Sequence, residues 1–293
     1  MPSPEHDAFV AMIEGGLGLE DLPIADQRAA MEASAEMFPV DPDATTTETN
    51  ANGVPAEWVQ INNQNPNRTI LYLHGGAYVM GSRNTHRALA ARIARASQAK
   101  VLLPDYRLAP ENPFPAAVDD AVACWRWLLA EGHPPGQSVV AGDSAGGGLA
   151  LATLLALKAA GNALPACAVA LSPWTDLEGT GPTAQPGAVD DPMLTPEGLI
   201  SSGQMYAAAD LRNPLAAPLH GNLEGLPPLL LQVGTREVLL SDSTRFADKA
   251  RTAGVDVTLE VEEGLIHVWQ MLPGVPEAVS AIDRVGRFVD RCC

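Results

Sequence analysis

A chain of 293 residues with 46% hydrophobic content can bury a large core, as one domain with insertions or as two, and its composition argues against disorder. Its formal net charge of −17 makes nucleic acid and anionic lipid poor partners. Lys, Asp or Pro breaks each apolar stretch well before the roughly 18 residues that a membrane span needs. The opening "MPSPEHDAFV" is acidic with no basic stretch, so neither a membrane nor a secretory signal is expected.

Residues 5–38 are amphipathic and predicted helical. "AEWVQI" (56–61) reads as an antiparallel edge strand, and "TILYL" (69–73) as the first of a series of short apolar strands. That series continues at 100–104, 138–141, 166–171, 229–233 and 257–261. Helical spacing falls between most of them, at 84–97, 116–131, 145–160 and 242–253, with Gly132, Gly161 and Gly254 as stops. Such alternation predicts an α/β fold, with a mostly parallel central sheet flanked by helices. Residues 178–222 break the pattern: they are rich in Gly, Pro and Asp, with a helical piece near 196–209. An insertion there lies over the carboxyl ends of the strands, where ligands bind in open α/β sheets. The expected organisation is an N-terminal helical lid segment (1–45), a core of 46–177 and 223–293, and a lid insertion (178–222).

Four cysteines, at 124, 167, 292 and 293, form no CxxC pair, so a reducing, cytoplasmic setting without structural disulfides is expected. The six histidines have no metal-binding spacing, and no Walker or GxGxxG loop occurs. The chemistry should therefore need neither cofactor nor metal.

In "SVVAGDSAGGGLAL", Gly142 and Gly146 stand two residues either side of Ser144, at a strand-to-helix turn. That pattern holds a nucleophilic hydroxyl at the top of a sheet, with the Ala145 N–H at the positive helix end. "YLHGGAY" (72–78) follows the strand at 69–73, and Gly75, Gly76 and Ala77 offer backbone donors for an oxyanion, with His74 bracing the loop. Among the histidines, His6 and His133 lie in polar surface contexts, His86 in a predicted helix and His220 in the insertion. His267, between the last strand and the final helix, is the candidate base. The acid belongs on "GTREVLLSDS", which offers Glu237 and Asp242; one of the two is a charge at a helix start.

"HGGA", "DYRLAPE" (105–111), "GDSAGG" (142–147), "LSPWTDL" (171–177) and "GLIHVW" together resemble the hormone-sensitive lipase family of α/β-hydrolases, over residues 58–290. Within it the chain is similar to bacterial esterases and to the ε-lactone hydrolases of monoterpene breakdown. The resemblance implies the α/β-hydrolase fold with a helical lid, Ser144 as nucleophile, His267 as base and Glu237 as acid, where the family usually has Asp. Ala77 replaces the last Gly of the usual HGGG, which narrows the acyl pocket. Asp105, Arg107 and Glu111 are expected to form a buried ion network under the site. Tyr78, Met80, Trp174 and Trp269 are candidates for the pocket wall. The implied activity is hydrolysis of short- to medium-chain carboxylic esters, with a lactone as the alternative substrate and a non-catalytic binding protein as the rival. The resemblance also implies a possible homodimer.

Overall fold

The short apolar runs become the middle of a single sheet. The computed structural model describes residues 1–14, 22–62, 64 and 67–293. Its strands are β1 (Ala44–Ala51), β2 (Val54–Ile61), β3 (Arg68–Leu73), β4 (Ala99–Pro104), β5 (Ser138–Asp143), β6 (Cys167–Leu171), β7 (Leu229–Gly234) and β8 (Val257–Glu262). They lie in the order β1-β2-β4-β3-β5-β6-β7-β8. Pairing is parallel from β4 through β8, whereas β1–β2 and β2–β4 are antiparallel. Every residue of β5 and β7 is buried, as expected of strands covered on both faces.

The helices are α1 (Pro4–Ile13), α2 (Ile24–Ser34), α3 (Arg83–Ser97), α4 (Ala116–Ala130), α5 (Ser144–Ala159), α6 (Pro196–Ala207), α7 (Leu240–Thr252) and α8 (Pro276–Cys292). Alternate residues of β3 feed two cores. Leu71 and Leu73 pack with Trp125 of α4 and Leu149 of α5. Ile70 and Tyr72 pack with Leu89 and Ile93 of α3 and Phe288 of α8. Burying both faces fixes the register, because a one-residue slip would exchange the two sets. Part of the helical stretch expected over 5–38 falls on residues 15–21, outside the described residues.

Three expectations are corrected. The strand at 56–61 is antiparallel but not at the edge: β1 lies outside it, joined through Asn52 and Gly53 at φ +53° and +95°, a turn pair suited to hairpins. The sequence "ATTTETNA" of β1 has no apolar alternation because most of it faces solvent. His6 is fully buried rather than at the surface, since it shares a face of α1 with Val10 and Ile13 at helical spacing. Asp105, Arg107 and Glu111 form no single buried network. Each pairs separately, with Arg83 at 3.0 Å, Asp120 at 2.7 Å and Arg28 at 2.7 Å, and the Arg107 and Glu111 side chains are half-exposed.

Candidate active site

β5 ends at Asp143, and α5 begins at the next residue, Ser144, with φ +53°. The two glycines explain how so sharp a turn fits. A Cβ on Gly146 would stand 2.0 Å from the Leu73 carbonyl oxygen, and one on Gly142 would stand 2.3 Å from that of Gly146. The end of β3 therefore passes directly against the turn, and side chains at 142 or 146 would push it away. Backbone strain of this kind concentrates where geometry is used for function.

His267 Nε2 lies 2.9 Å from Ser144 Oγ, and His267 Nδ1 lies 2.9 Å from Glu237 Oε2. The second carboxylate oxygen of Glu237 accepts from Ser172 Oγ at 2.8 Å and from the Gly234 N–H at 2.6 Å. Ser172 and Val268 both have positive φ, +46° and +48°, and the Val268 N–H donates to Ser172 Oγ at 3.2 Å. One hydroxyl thus joins the loop after β6, the acid loop after β7 and the base loop after β8. Sequence reasoning gave Ser172 no role; its only signal was its place inside "LSPWTDL".

Glu237 is fully buried, and Ser144 and His267 are only 8% and 4% exposed. Burial pushes the Glu237 carboxyl up, against the donors from His267, Gly234 and Ser172. Burial pushes the His267 ring down, but the bond and charge of Glu237 outweigh it and raise the ring above its ordinary value. Asp191, from the insertion, adds to that rise. Its carboxylate accepts from the N–H of Val238, next to Glu237, at 2.9 Å, while Arg236 on the other side pairs with Asp190 at 2.7 Å. The insertion therefore grips the acid loop on both flanks of Glu237.

The structure does not bring Asp242 to His267. Its Oδ2 accepts from the N–H groups of Thr175 and Asp176 at 2.7 and 2.8 Å. Nor does it cap its own helix: the residue at the start of α7 is Leu239, with no side-chain cap. Asp242 instead ties α7 to the loop after β6.

The loop at 74–80, the candidate oxyanion loop, divides its backbone donors. The Gly75 N–H is shared between Asp143 Oδ1 and His86 Nε2, both at 3.2 Å, and so is turned into the protein. Gly76 and Ala77 start a turn that closes through Val79 N and Met80 N onto the Gly76 carbonyl at 3.0 and 2.9 Å, and their own N–H groups take no part in it. Beneath lies a buried polar layer. Tyr72 donates to Asp143 at 2.8 Å, and His86 stands 3.3 Å from the other oxygen. Burial pushes the Asp143 carboxyl up, but His86 and Tyr72 outweigh it and hold it below the usual range. His74 braces the loop as expected, with Nδ1 at 2.8 Å from the Gly75 carbonyl, and burial lowers its ring to about 3, so it stays neutral.

Of the four expected wall residues, Met80 is half-buried, and Tyr78, Trp174 and Trp269 are almost fully buried. Tyr78 stacks on Tyr206 of α6 at 3.7 Å and meets Trp174 at 5.9 Å, so the oxyanion loop rests on the insertion. Trp269 packs with Val10, Ile13 and Leu265 in the cluster built by α1 and α8. Among the described residues, Asp176, Glu178 and His220 bring potential metal ligands within 4.8 Å of one another. Arg245 pairs with Asp176 at 2.9 Å, so a guanidinium already balances that carboxylate.

Residues 70–271 match a family described by the alpha/beta hydrolase fold. A crystal structure of an esterase from the bacterial hormone-sensitive lipase family is 44% identical, with a TM-score of 0.94 over 100% of this chain and 99% of that one. The chain belongs to the hormone-sensitive lipase family of α/β-hydrolases. An acetyl-hydrolase of Streptomyces hygroscopicus is 42% identical to it, over 99% of this chain and 97% of the relative. An esterase of Acinetobacter venetianus is 35% identical, over 89% and 87%. As a member of this family, the chain is a carboxylic ester hydrolase. Among the described residues no helix is long and apolar enough to cross a membrane.

Proposed function

We propose that this hydrolase is a serine esterase that cleaves short- to medium-chain carboxylic esters through Ser144, His267 and Glu237. The observation that carries the reading is the unbroken line of hydrogen bonds from Ser144 Oγ through His267 to Glu237, 2.9 Å at each step. His267 Nε2 takes the Ser144 proton as the oxygen attacks the ester carbonyl. The Nδ1–H faces Glu237, which fixes the tautomer and stabilises the imidazolium. N–H groups of Gly76, Ala77 and Ala145 hold the oxyanion, and His267 returns the proton to the leaving alcohol. Water then repeats the sequence on the acyl-enzyme.

The slight exposure of Ser144 and the methyl of Ala77 favour small acyl groups, as does the Streptomyces relative named for acetyl hydrolysis. The segment 1–45 and the insertion 178–222 act as lids. Arg28 of α2 reaches the Val79 carbonyl at 2.7 Å, and Tyr206 of the insertion stacks on Tyr78. β8 at the sheet edge, with Val261 exposed, suits a homodimer formed through that strand.

A serine-directed phosphonate followed by intact-mass measurement tests the reading. One adduct on the wild type and none on Ser144→Ala is expected, together with a loss of about 10⁴-fold or more in kcat for the variant. An unlabelled wild type, or a folded Ser144→Ala with normal turnover, removes the proposal. A screen of acyl esters from acetyl to decanoyl then sets the chain-length limit.

A further inference from the structure

The loop that carries His267 from β8 to α8 is fastened by side chains from other parts of the fold. The Val268 N–H donates to Ser172 Oγ at 3.2 Å. Arg92 of α3 donates to the Met271 and Leu272 carbonyls at 2.7 and 3.3 Å, at the outgoing end of the turn Trp269–Met271. Between these points Gln270 donates from Nε2 to Gln232 Oε1, on β7, at 3.0 Å. Both glutamines are fully buried.

β7 reads "LLLQVG" and is buried throughout, so Gln232 stands where a strand covered on both faces calls for an apolar side chain. Burying an amide costs free energy unless its polar atoms are paired. Gln232 meets that condition: Nε2 donates to Glu260 Oε2 at 2.8 Å and to the Ala281 carbonyl at 3.0 Å. The same Glu260 oxygen accepts from Arg284 Nε at 2.7 Å. With acceptors on that side, the amide has one orientation, and its oxygen faces Gln270. Gln270 must then present its NH2 group. Its own oxygen has no partner among the described residues, so the bond to Gln232 is what its buried amide supplies. Gln232 also reaches the site through its backbone, where its carbonyl accepts the Ser172 N–H at 2.7 Å.

With His267 read as the base, we infer that Gln270 and Gln232 are positioning residues, whose amide–amide bond sets the angle of the His267 ring between Ser144 and Glu237. Val268 and Trp269 alone separate Gln270 from His267, and Val268 stands in the left-handed region at φ +48°. A β-branched residue is strained there and relaxes unless its surroundings hold it. Ser172 holds the Val268 N–H, and the Gln270 amide holds the turn that follows. Loss of the amide bond lets this segment relax, and the imidazole turns with it. A misplacement of about 1 Å can cost about 10²-fold in rate. Substrate meets neither glutamine, because both are fully buried.

The test measures kcat, KM and melting temperature for Gln270→Met, Gln232→Met and the double variant of the full chain, with His267→Gln alongside. Methionine keeps the length of the side chain and removes the amide. Each single variant should lose about tenfold in kcat, with KM within about twofold of wild type. The double variant should stay within about threefold of the slower single one, because the same bond is lost in all three. Labelling by a serine-directed phosphonate should slow in parallel. The inference is overturned if Gln270→Met melts earlier with unchanged kcat, or if the two losses multiply in the double variant. Should Gln232→Met fail to fold, Gln270→Met decides alone through its kcat and KM, since it leaves one acceptor without its donor. If His267→Gln keeps wild-type turnover, the base assignment falls and the inference with it. If His267→Gln is inactive while Gln270→Met is not slowed, the inference alone falls.

Discussion

Ser172 donates its hydroxyl hydrogen to Glu237 at 2.8 Å, on the carboxylate oxygen that His267 does not use. The same Ser172 oxygen accepts the Val268 N–H, so the acid and the residue after His267 are held by one atom. Ser172→Ala leaves a buried carboxylate oxygen and a buried N–H each one partner short. The expected cost is about 1–3 kcal/mol of stability, and kcat should fall about tenfold as the imidazole loses its fixed angle. Thermal melting and steady-state kinetics on one preparation check it. A variant that melts earlier with unchanged kcat would make Ser172 a packing residue only.

Glu237 and Asp242, five positions apart, should respond differently to neutralisation. Glu237→Gln removes the partner of His267, and kcat should fall by up to about 10⁴-fold with little change in melting. Asp242→Asn should keep most activity and alter the pH dependence of stability. Burial pushes the Asp242 carboxyl up to about 7, despite the N–H groups it accepts from Thr175 and Asp176. A carboxyl raised in the folded state contributes stability that is present below its unfolded value, near pH 4, and lost as the pH rises through about 7. The loss is on the order of 3–4 kcal/mol across that range, and an amide does not undergo it. Melting temperatures at pH 5 and pH 8 should therefore show the variant gaining on the wild type at the higher pH. A gap of the same size at both would overturn this account of Asp242.

Asp191 acts on His267 through charge. Its oxygens accept from Met193, Leu194 and Val238 N–H groups at 2.9, 3.1 and 2.9 Å, and an asparagine carbonyl can still serve part of that set. Because Asp191 helps to raise His267, Asp191→Asn should lower it, leaving the base neutral to lower pH. The acid limb of kcat/KM should move down by a fraction of a pH unit, with the plateau within about threefold of wild type. If the limb stays in place while the plateau collapses, Asp191 is shaping the loop rather than tuning the ring.

Arg28 is the pin between the N-terminal segment and the oxyanion loop. Its guanidinium reaches the carbonyls of Val79 and Ala109 at 2.7 and 2.8 Å and pairs with Glu111 through both nitrogens. Arg28→Ala should loosen α2 from that loop and raise KM for longer acyl esters more than it lowers kcat for acetyl esters. Equal KM values across the ester series would place α2 outside the substrate path.

The parallel strands and their helices were legible because burial on both faces forces continuous apolar runs, and the helices follow a 3.6-residue period. Ser144 and His267 were legible for a related reason: each stands at a strand end, in a loop with glycine close by. What was missed lies in contacts made across the chain. Asp242 resembles a helix-start charge in its own neighbourhood, yet its partners are 67 and 66 residues away. Ser172 reaches Glu237 and Asp191 reaches the Val238 N–H from other loops, and the exposed β1 has no apolar period to detect. Gly75 reads as a donor from its motif; only the packing of Asp143 and His86 against it shows that its N–H points inward.

Seven described residues other than glycine have positive φ, and five of them, Ala77, Tyr78, Ser144, Ser172 and Val268, belong to the loops that build the site. Replacing those five to gain heat resistance would trade away the geometry that aligns the proposed nucleophile, base and donors. Asn52 sits in a hairpin turn that suits asparagine. That leaves Gln98, exposed, at φ +47° as the C-cap of α3, as the one place where relief comes free of function. Gln98→Gly should raise the melting temperature, by up to about 1 kcal/mol of stability, with kinetics unchanged. The map of left-handed residues thus doubles as a guide to which parts of this enzyme a protein engineer can harden and which must stay tense.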